Sequence, residues 1–341
     1  MKQLYLLLDY KEMFGTKRYA NPYRSGMDKT LLRKYFNEKG YDLKSLSFSD
    51  IDFRTMDFKK QYVLYTSSAD NNYHYQSYIE DICYVLQLQG AIVIPEYKYL
   101  RAHNNKVFME CLRDLSSLQP IKNIKSYHFG TIEELKKKKH VLEGKVVVKA
   151  AGGAMSNYVS LANNEDELLK QAAKVSRTRD IVYELWDWGR SLKHKGYTRE
   201  SKYRNKFVVQ NFVPDLPNDW KILSFGKKYY VLYRGTRRND FRASGSGKFQ
   251  FREDIPCGIL DFAENVYDSF DVPNISIDVA FDGKHFYLIE FQAIYFGSTT
   301  LEKSPFYFTK EMSRWVIHKD KSILEKEYVD SIVGYIKNKG K

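Results

Sequence analysis

Three polar side chains in the last quarter of the chain stand where oxygen-ligand chemistry needs them. Asp278 lies in the run ISIDVAF, and Glu290 and Gln292 lie in HFYLIEFQ, with Asp282-Gly283 between the runs. Strand alternation puts Glu290 and Gln292 on one face, and an Asp-Gly hairpin folds Asp278 back toward them. Two carboxylates and an amide oxygen at one spot are hard ligands for Mg2+ carrying nucleotide phosphates. The blander alternative is a set of exposed strand carboxylates. The apolar neighbours Ile277, Val279, Ile289 and Phe291 weigh against it, because a buried acid needs a cation. Lys149 is the second feature, near the end of the β-branched run KVVVKA and just before Gly152-Gly153. A lysine leaving a strand end meets phosphate oxygens, and a small-residue loop lets backbone N–H groups approach the same anion. A solvated lysine at a strand-to-turn junction is the alternative.

Other chemistries drop out. There is no GxxxxGKS/T: SGSGKF (244–249) has Phe249 after the lysine and Arg242 where the first glycine belongs. GxGxxG after a strand, HExxH and GxSxG are absent, and none of the 7 histidines pairs with an obvious acid or nucleophile.

The elements that must position these residues read as follows. QLYLLL (3–8), QYVLYT (61–66) and AIVIP (91–95) are strand runs. Helical spacing of Met27, Leu31, Leu32, Tyr35 and Phe36, and of Tyr78, Ile82, Val85 and Leu86, places helices between them, stopped by Gly40 and Gly90. That rhythm predicts a parallel sheet covered by helices. Further on, SYHF (126–129) and KVVVKA (145–150) are strands, and capping boxes at Thr131/Glu134 and Asn164/Glu167 open two helices. FVVQNFV (207–213), KILSFG, KKYYVLYR and the 275–292 hairpin predict antiparallel strands, and the tail 321–337 a packing helix. Residues 183–206, polar and basic with two tryptophans, read as an irregular surface excursion, with a lid over a site as the alternative.

The chain has 341 residues, 43% hydrophobic and 28% charged, which is ordinary globular composition. Three cysteines without a CxxC spacing argue against a disulfide framework or zinc site and fit a reducing cytosol, so the expectation is a cytoplasmic protein. No apolar run is long enough for a membrane span. The net charge of +13 and 28 tyrosines invite a nucleic-acid reading, but the charge is spread and no binding module is recognisable, which disfavours it. A site for phosphates or an acidic substrate explains the charge as well.

Taken in chain order, NNKVFMECLRDL (104–115), KVVVKAAGGAMSNYVSL (145–161), QNFV (210–213), DWKILSFG (219–226), RGTRRNDFRASGSGKF (234–249) and IDVAFDGKHFYLIEFQ (277–292) resemble the ATP-grasp superfamily. The likeness is to its carboxylate–amine ligases: D-alanine–D-alanine ligase, glutathione synthetase and the ribosomal-protein glutamate ligases. The resemblance implies an α/β fold with α+β lobes. An N-terminal parallel-sheet domain would span 1–100, a central lobe with the phosphate loop 101–209 and a C-terminal lobe with the metal site and packing helix 210–341, with ATP held between the last two.

By the same resemblance Lys106 and Lys149 are the phosphate lysines, and 151–157, with Gly152, Gly153 and Ser156, is the phosphate loop. Gln210, Asn211, Phe212 and Val213 form the adenine hinge, the backbone of Asn211 and Val213 reading the adenine edge; Asp215 and Lys221 complete the nucleotide set. Asp278, Glu290 and Gln292 hold the metal. Departures accompany this: Gln292 replaces the usual asparagine, Gln210 the hinge glutamate, and Ala150 a proline. Ser276 stands where D-alanine-type ligases carry an oxyanion-stabilising arginine, so that role passes to another basic residue, Arg242 first and Arg234 next. The implied activity is ligation of a carboxylate to an amine through an acylphosphate, with ATP and Mg2+ as cofactors. The rivals are a phosphotransferase of the same fold and an inactive nucleotide- or polyanion-binding protein. Substrates are small molecules or peptides, acidic by the net charge, and a homodimer is left open.

Overall fold

The computed structural model describes the chain outside residues 69, 71–72, 139–143, 154–157, 179, 215, 217, 237–246 and 340–341. It divides into two compact units, one of residues 1–103, 116–121 and 216–341, the other of 104–115 and 122–215.

The first unit opens with β1 (Lys2–Leu8), α1 (Lys29–Glu38), β2 (Tyr41–Ser47), β3 (Tyr62–Leu64), α2 (His74–Leu88), β4 (Ile92–Ile94) and α3 (Tyr97–Ala102). The strands form a parallel sheet in the order β2-β1-β3-β4. The expected strand–helix rhythm is there, with one addition. β2 carries the exposed Asp42 and Lys44 and lies at the sheet edge, so it has none of the continuous apolar signal of β1. Both faces of β1 are covered, as a parallel sheet requires. Leu4, Leu6 and Leu8 pack with Leu32 and Phe36 of α1, while Leu7 and Val63 pack with Ile79, Cys83 and Leu86 of α2. Asp28 caps α1 by accepting from the N–H groups of Thr30 and Leu31.

The second unit contains α4 (Lys106–Leu115), β5 (Ser126–Phe129), α5 (Ile132–Lys138), β6 (Val146–Ala150), β7 (Val159–Ala162), α6 (Glu165–Ser176), α7 (Ile181–Lys193) and β8 (Phe207–Asn211). Its sheet is antiparallel, β5-β8-β6-β7. Val146 and Val148 of β6 with Phe207 and Val209 of β8 meet Ile132, Leu135, Leu168 and Ala172 of α5 and α6. The Thr131/Glu134 box is made, with Glu134 accepting from Thr131 N–H at 3.1 Å and Thr131 Oγ1 from Glu134 N–H at 3.3 Å. At α6 the box is displaced by one residue: Asn164 caps Glu167, but Glu167 reaches back to Asn163. The first half of the 183–206 stretch is helical, capped by Asp180.

The rest of the first unit is β9 (Asn218–Phe225), β10 (Lys228–Gly235), β11 (Phe249–Gln250), α8 (Ile259–Phe270), β12 (Asn274–Phe281), β13 (Phe286–Gln292), α9 (Thr299–Lys303), β14 (Tyr307–Glu311), β15 (Arg314–His318) and α10 (Leu324–Lys339). Its sheet runs β13-β12-β9-β10-β14-β15, with β11 beside β10, and every pairing is antiparallel. One face carries Ile222, Ile275, Ile277 and Phe291, and Phe270 of α8 stacks on Phe291 with ring centroids 4.2 Å apart. On the other face Leu223, Phe225 and Tyr230 join the α1–β1 core together with Tyr328, Ile332 and Ile336 of α10. That face therefore changes along its length from apolar at the Phe225 end to charged at the Asp219 end. Among the described residues no helix is long and apolar enough to cross a membrane.

Candidate active site

The charged end of that face is assembled by register. Arg234 on β10 sits opposite Asp219 on β9, Asp278 on β12 opposite both Lys221 on β9 and Glu290 on β13, and Ser276 opposite Gln292. Two-residue alternation sends all of these side chains to one side. The β12–β13 ladder is irregular between Asp278 and Val279, directly at the Asp278–Glu290 pair.

The contacts form a chain of opposite charges. Arg234 donates through Nε and Nη2 to the two oxygens of Asp219, at 2.6 and 2.8 Å, and Nη2 also lies 2.7 Å from Asp278 Oδ2. Lys221 Nζ donates to Ser276 Oγ at 2.6 Å and stands 3.5 Å from Asp278 Oδ1. Gln292 Nε2 donates to Glu290 Oε1 at 3.0 Å. Burial is the largest influence on Asp219 and pushes its carboxyl up to about 6, with Arg234 pulling against it and the like charge of Asp278 adding to it. Burial acts on Asp278 in the same sense, but there the Arg234 guanidinium and the Lys221 ammonium prevail and hold its carboxyl below the usual range. Two carboxylates share one guanidinium, and the one with a second cation ionises more readily.

In the second unit, Lys149 and Gln210 lie on the sheet face away from α5 and α6, since Lys149 pairs with Val208 and Gln210 with Val147. Gln210 is buried and donates to Ser126 Oγ at 2.7 Å. The N–H groups of Asn211 and Phe212 are committed to the carbonyls of Lys125 and Lys145. The residues that follow β6 are fastened to the α4 N-terminus. Lys106 Nζ donates to Gly153 O at 2.8 Å, Lys106 N–H to Ala151 O at 2.8 Å, and Gly153 N–H to Asn104 Oδ1 at 2.7 Å. Gly153 has φ +108°, and a Cβ there would come within 3.0 Å of the Tyr158 ring.

No protein-family model matches the chain, and no curated protein sequence matches it. Solved structures do. The crystal structure of D-cycloserine synthetase DcsG is similar with a TM-score of 0.55 at 10% identity, over 97% of this chain and 99% of that one. D-alanine–D-alanine ligase from Bacillus anthracis is similar with a TM-score of 0.51 at 11% identity, over 100% and 99%. A RiPP-associated ATP-grasp ligase from Chryseobacterium gregarium, in complex with ADP and a leader and core peptide, gives 0.52 at 12%, over 99% and 97%.

The chain has the ATP-grasp fold.

Within this fold, the first unit brings together Lys221, Arg234, Asp278, Glu290 and Gln292, and the second brings together Lys106, Gly152 and Gly153. Gly152 packs against Asn104, with a Cβ position 3.4 Å from its amide nitrogen. Ser156, Asp215 and Arg242 lie outside the described residues. Two site residues escaped sequence reasoning. Asp219 opens the DWKILSFG run but gains its meaning only from the register with Arg234. Asn104 has φ +50° and precedes a helix, and that pattern was its one available signal.

The donor set fits Mg2+. Among the described residues, three carboxylates, Asp219, Asp278 and Glu290, face two cations, Lys221 and Arg234, so a further positive charge is accommodated. Glu290 and Gln292 supply hard oxygens, and Asp278 Oδ1 is only loosely engaged by Lys221. At the apolar end of the same face is a cavity of about 60 Å3 lined by Phe14, Tyr65, Phe225, Asn274, Phe296 and Tyr328, among others. The buried Tyr65 hydroxyl and Asn274 Oδ1 have no hydrogen-bond partner among the described residues. Asn274 is four residues before Asp278 on β12, hence on the same side of the strand.

Proposed function

We propose that this chain is an ATP- and Mg2+-dependent ligase that joins a carboxylate to an amine through an acylphosphate. The observation that carries the reading is the charged sheet face on which Lys221, Arg234, Asp278, Glu290 and Gln292 meet. A substrate carboxylate oxygen attacks the γ-phosphorus and ADP leaves. The amine then attacks the acyl carbon, the tetrahedral intermediate loses orthophosphate, and the amine nitrogen sheds its proton. No protein nucleophile is required, which agrees with a face built from cations and carboxylates.

Asp278, Glu290 and Gln292 would hold Mg2+, which supplies charge neutralisation to the transferring phosphoryl group. Lys106 and Lys149 contact phosphate oxygens, and Gly152 and Gly153 let backbone approach them. The hinge donor is assigned to Val213, since the N–H groups of Asn211 and Phe212 are in use. Lys221 takes the place of the arginine that Ser276 lacks, because its ammonium lies on the Ser276 hydroxyl. It steadies the oxyanion formed when the amine attacks. Arg234 holds Asp278 and Asp219 in position. The Tyr65–Asn274 cavity receives an apolar portion of one substrate, its donor and acceptor meeting a polar group there. The D-alanine–D-alanine and peptide-bound ligases of this fold support small acids or peptides as substrates.

Calorimetric titration with ATP and Mg2+ tests the reading. Binding should require Mg2+ for full affinity and weaken in Glu290→Gln. An affinity identical with and without Mg2+ would count against the carboxylate face as the metal site.

A further inference from the structure

Helix α7 is inside out. Its acidic side is the side that docks. Asp187, 2% exposed, accepts from Tyr197 Oη at 2.7 Å and Arg199 Nε at 3.2 Å. Glu184 pairs with Arg177 at 3.0 Å and Lys202 at 3.1 Å. The opposite side carries Ile181, Val182, Leu185, Trp186 and Leu192, with Trp188 at its margin, from 50% exposed for Trp188 to 74% for Ile181. An amphipathic helix ordinarily turns such a stripe to a core.

Gly189 lies in the middle of the stripe, one turn beyond Leu185 and Trp186 and one turn before Leu192. A Cβ there would meet nothing within 4 Å. Glycine in a helix interior costs about 1 kcal/mol relative to alanine, and no contact among the described residues explains its use here. A glycine at the centre of an apolar stripe does permit the close approach of another helix.

We propose that α7 is a self-association surface on which two copies of this chain pair antiparallel about a two-fold axis, Leu185 of each copy seated over Gly189 of the other. The six side chains present on the order of 800 Å2 per copy, the share one partner contributes to an interface of standard size. That exceeds the apolar patch an ordinary monomer leaves open. The ends are complementary in this sense: Asp180 stands at the N-terminus and Lys193 at the C-terminus, and antiparallel pairing in this register sets the acid of one copy by the lysine of the other. Opposed helix dipoles add to the match. The inference is independent of the ligase reading.

Sedimentation velocity of the full chain across the micromolar range, with tryptophan emission recorded in parallel, tests it. The expected result is a monomer–dimer equilibrium with emission moving to the blue as dimer forms. Gly189→Lys and Trp186→Glu should each raise the dissociation constant by at least about tenfold, a loss of about 1.4 kcal/mol, with circular dichroism unchanged. Gly189→Lys should not melt lower, since its side chain meets only open space. A wild type that stays monomeric, or a dimer that neither substitution weakens, would overturn the proposal. So would a monomer whose emission shifts only when a foreign peptide or protein is added, because the face would then belong to that partner.

Discussion

Lys221 on β9 donates to the hydroxyl of Ser276 on β12 at 2.6 Å, and so sets an ammonium beside the position at which the D-alanine-type resemblance leads one to expect an arginine. The oxyanion role is proposed for this lysine. Removing it should cost catalysis more than binding. Lys221→Met should lower turnover by on the order of a hundredfold, the usual worth of one oxyanion donor, while ATP affinity changes far less. Ser276→Arg added to Lys221→Met should recover part of the loss. A coupled assay of ADP release, with calorimetry alongside, separates the two effects; a double variant no better than the single one would remove Lys221 from the oxyanion role.

Arg234 is buried between two carboxylates, so its loss is a stability matter. Arg234→Ala strands Asp219 and Asp278 without their shared guanidinium and should destabilise the chain by about 3–5 kcal/mol. Arg234→Lys keeps the charge but not the forked donors and should cost less. Urea unfolding at neutral pH measures both. Equal midpoints for wild type and Arg234→Ala would mean that the charge cluster contributes little to the fold.

Asp219 supplies a pH signature. Its carboxyl is raised to about 6 in the folded chain against an ordinary value near 3.8. Between those values the unfolded chain has released this proton and the folded chain retains it. The Asp219 contribution to stability therefore falls as pH rises from about 4 to about 6, by on the order of 3 kcal/mol at most. Asp219→Asn removes that fall. The difference in melting temperature between variant and wild type should shift in favour of the variant across this window. A constant difference from pH 4 to 7 would show that Asp219 titrates as an ordinary carboxylate.

What the sequence disclosed follows physical lines. The placement of Asp278, Glu290 and Gln292 on one sheet face was legible because a hairpin and a two-residue period are local. The strand that carries Lys149 was legible from its β-branched run for the same reason. Lys221 against Ser276 and Arg234 against Asp219 depend on which strands lie side by side in a sheet whose order is not the chain order, and tertiary packing decides that. Asn104 acts on Gly153, far along the chain. β2 was hidden by its exposed edge. The helix over Ile181–Lys193 was hidden because its apolar stripe faces solvent, whereas hydrophobic periodicity is read on the assumption that it marks a buried face.

The loop contacts of the second unit give a binding prediction. Lys149→Ala should weaken ATP binding by about 1.5–3 kcal/mol, the worth of a charge-assisted hydrogen bond, or roughly ten- to a hundredfold. Gly153→Ala should weaken it as well, because φ +108° suits glycine and the new methyl would meet the Tyr158 ring. Both variants should still melt cooperatively. Unchanged nucleotide affinity in Lys149→Ala would withdraw the phosphate assignment.

ATP is proposed to be cleaved to ADP at the carboxylate face, and phosphorus NMR of the products distinguishes this from other cleavages. Wild-type chain, ATP, Mg2+ and a pool of amino acids and short peptides should yield ADP and orthophosphate, never AMP and pyrophosphate, and should yield neither when Mg2+ is chelated. Gln292→Asn should keep part of the activity, since it retains an amide oxygen drawn back by one methylene, and Asp278→Asn should retain less. Glu290→Gln should reduce ADP formation to the blank while leaving circular dichroism unchanged. Full ADP formation by Glu290→Gln would contradict the metal site and, with it, the proposed reaction.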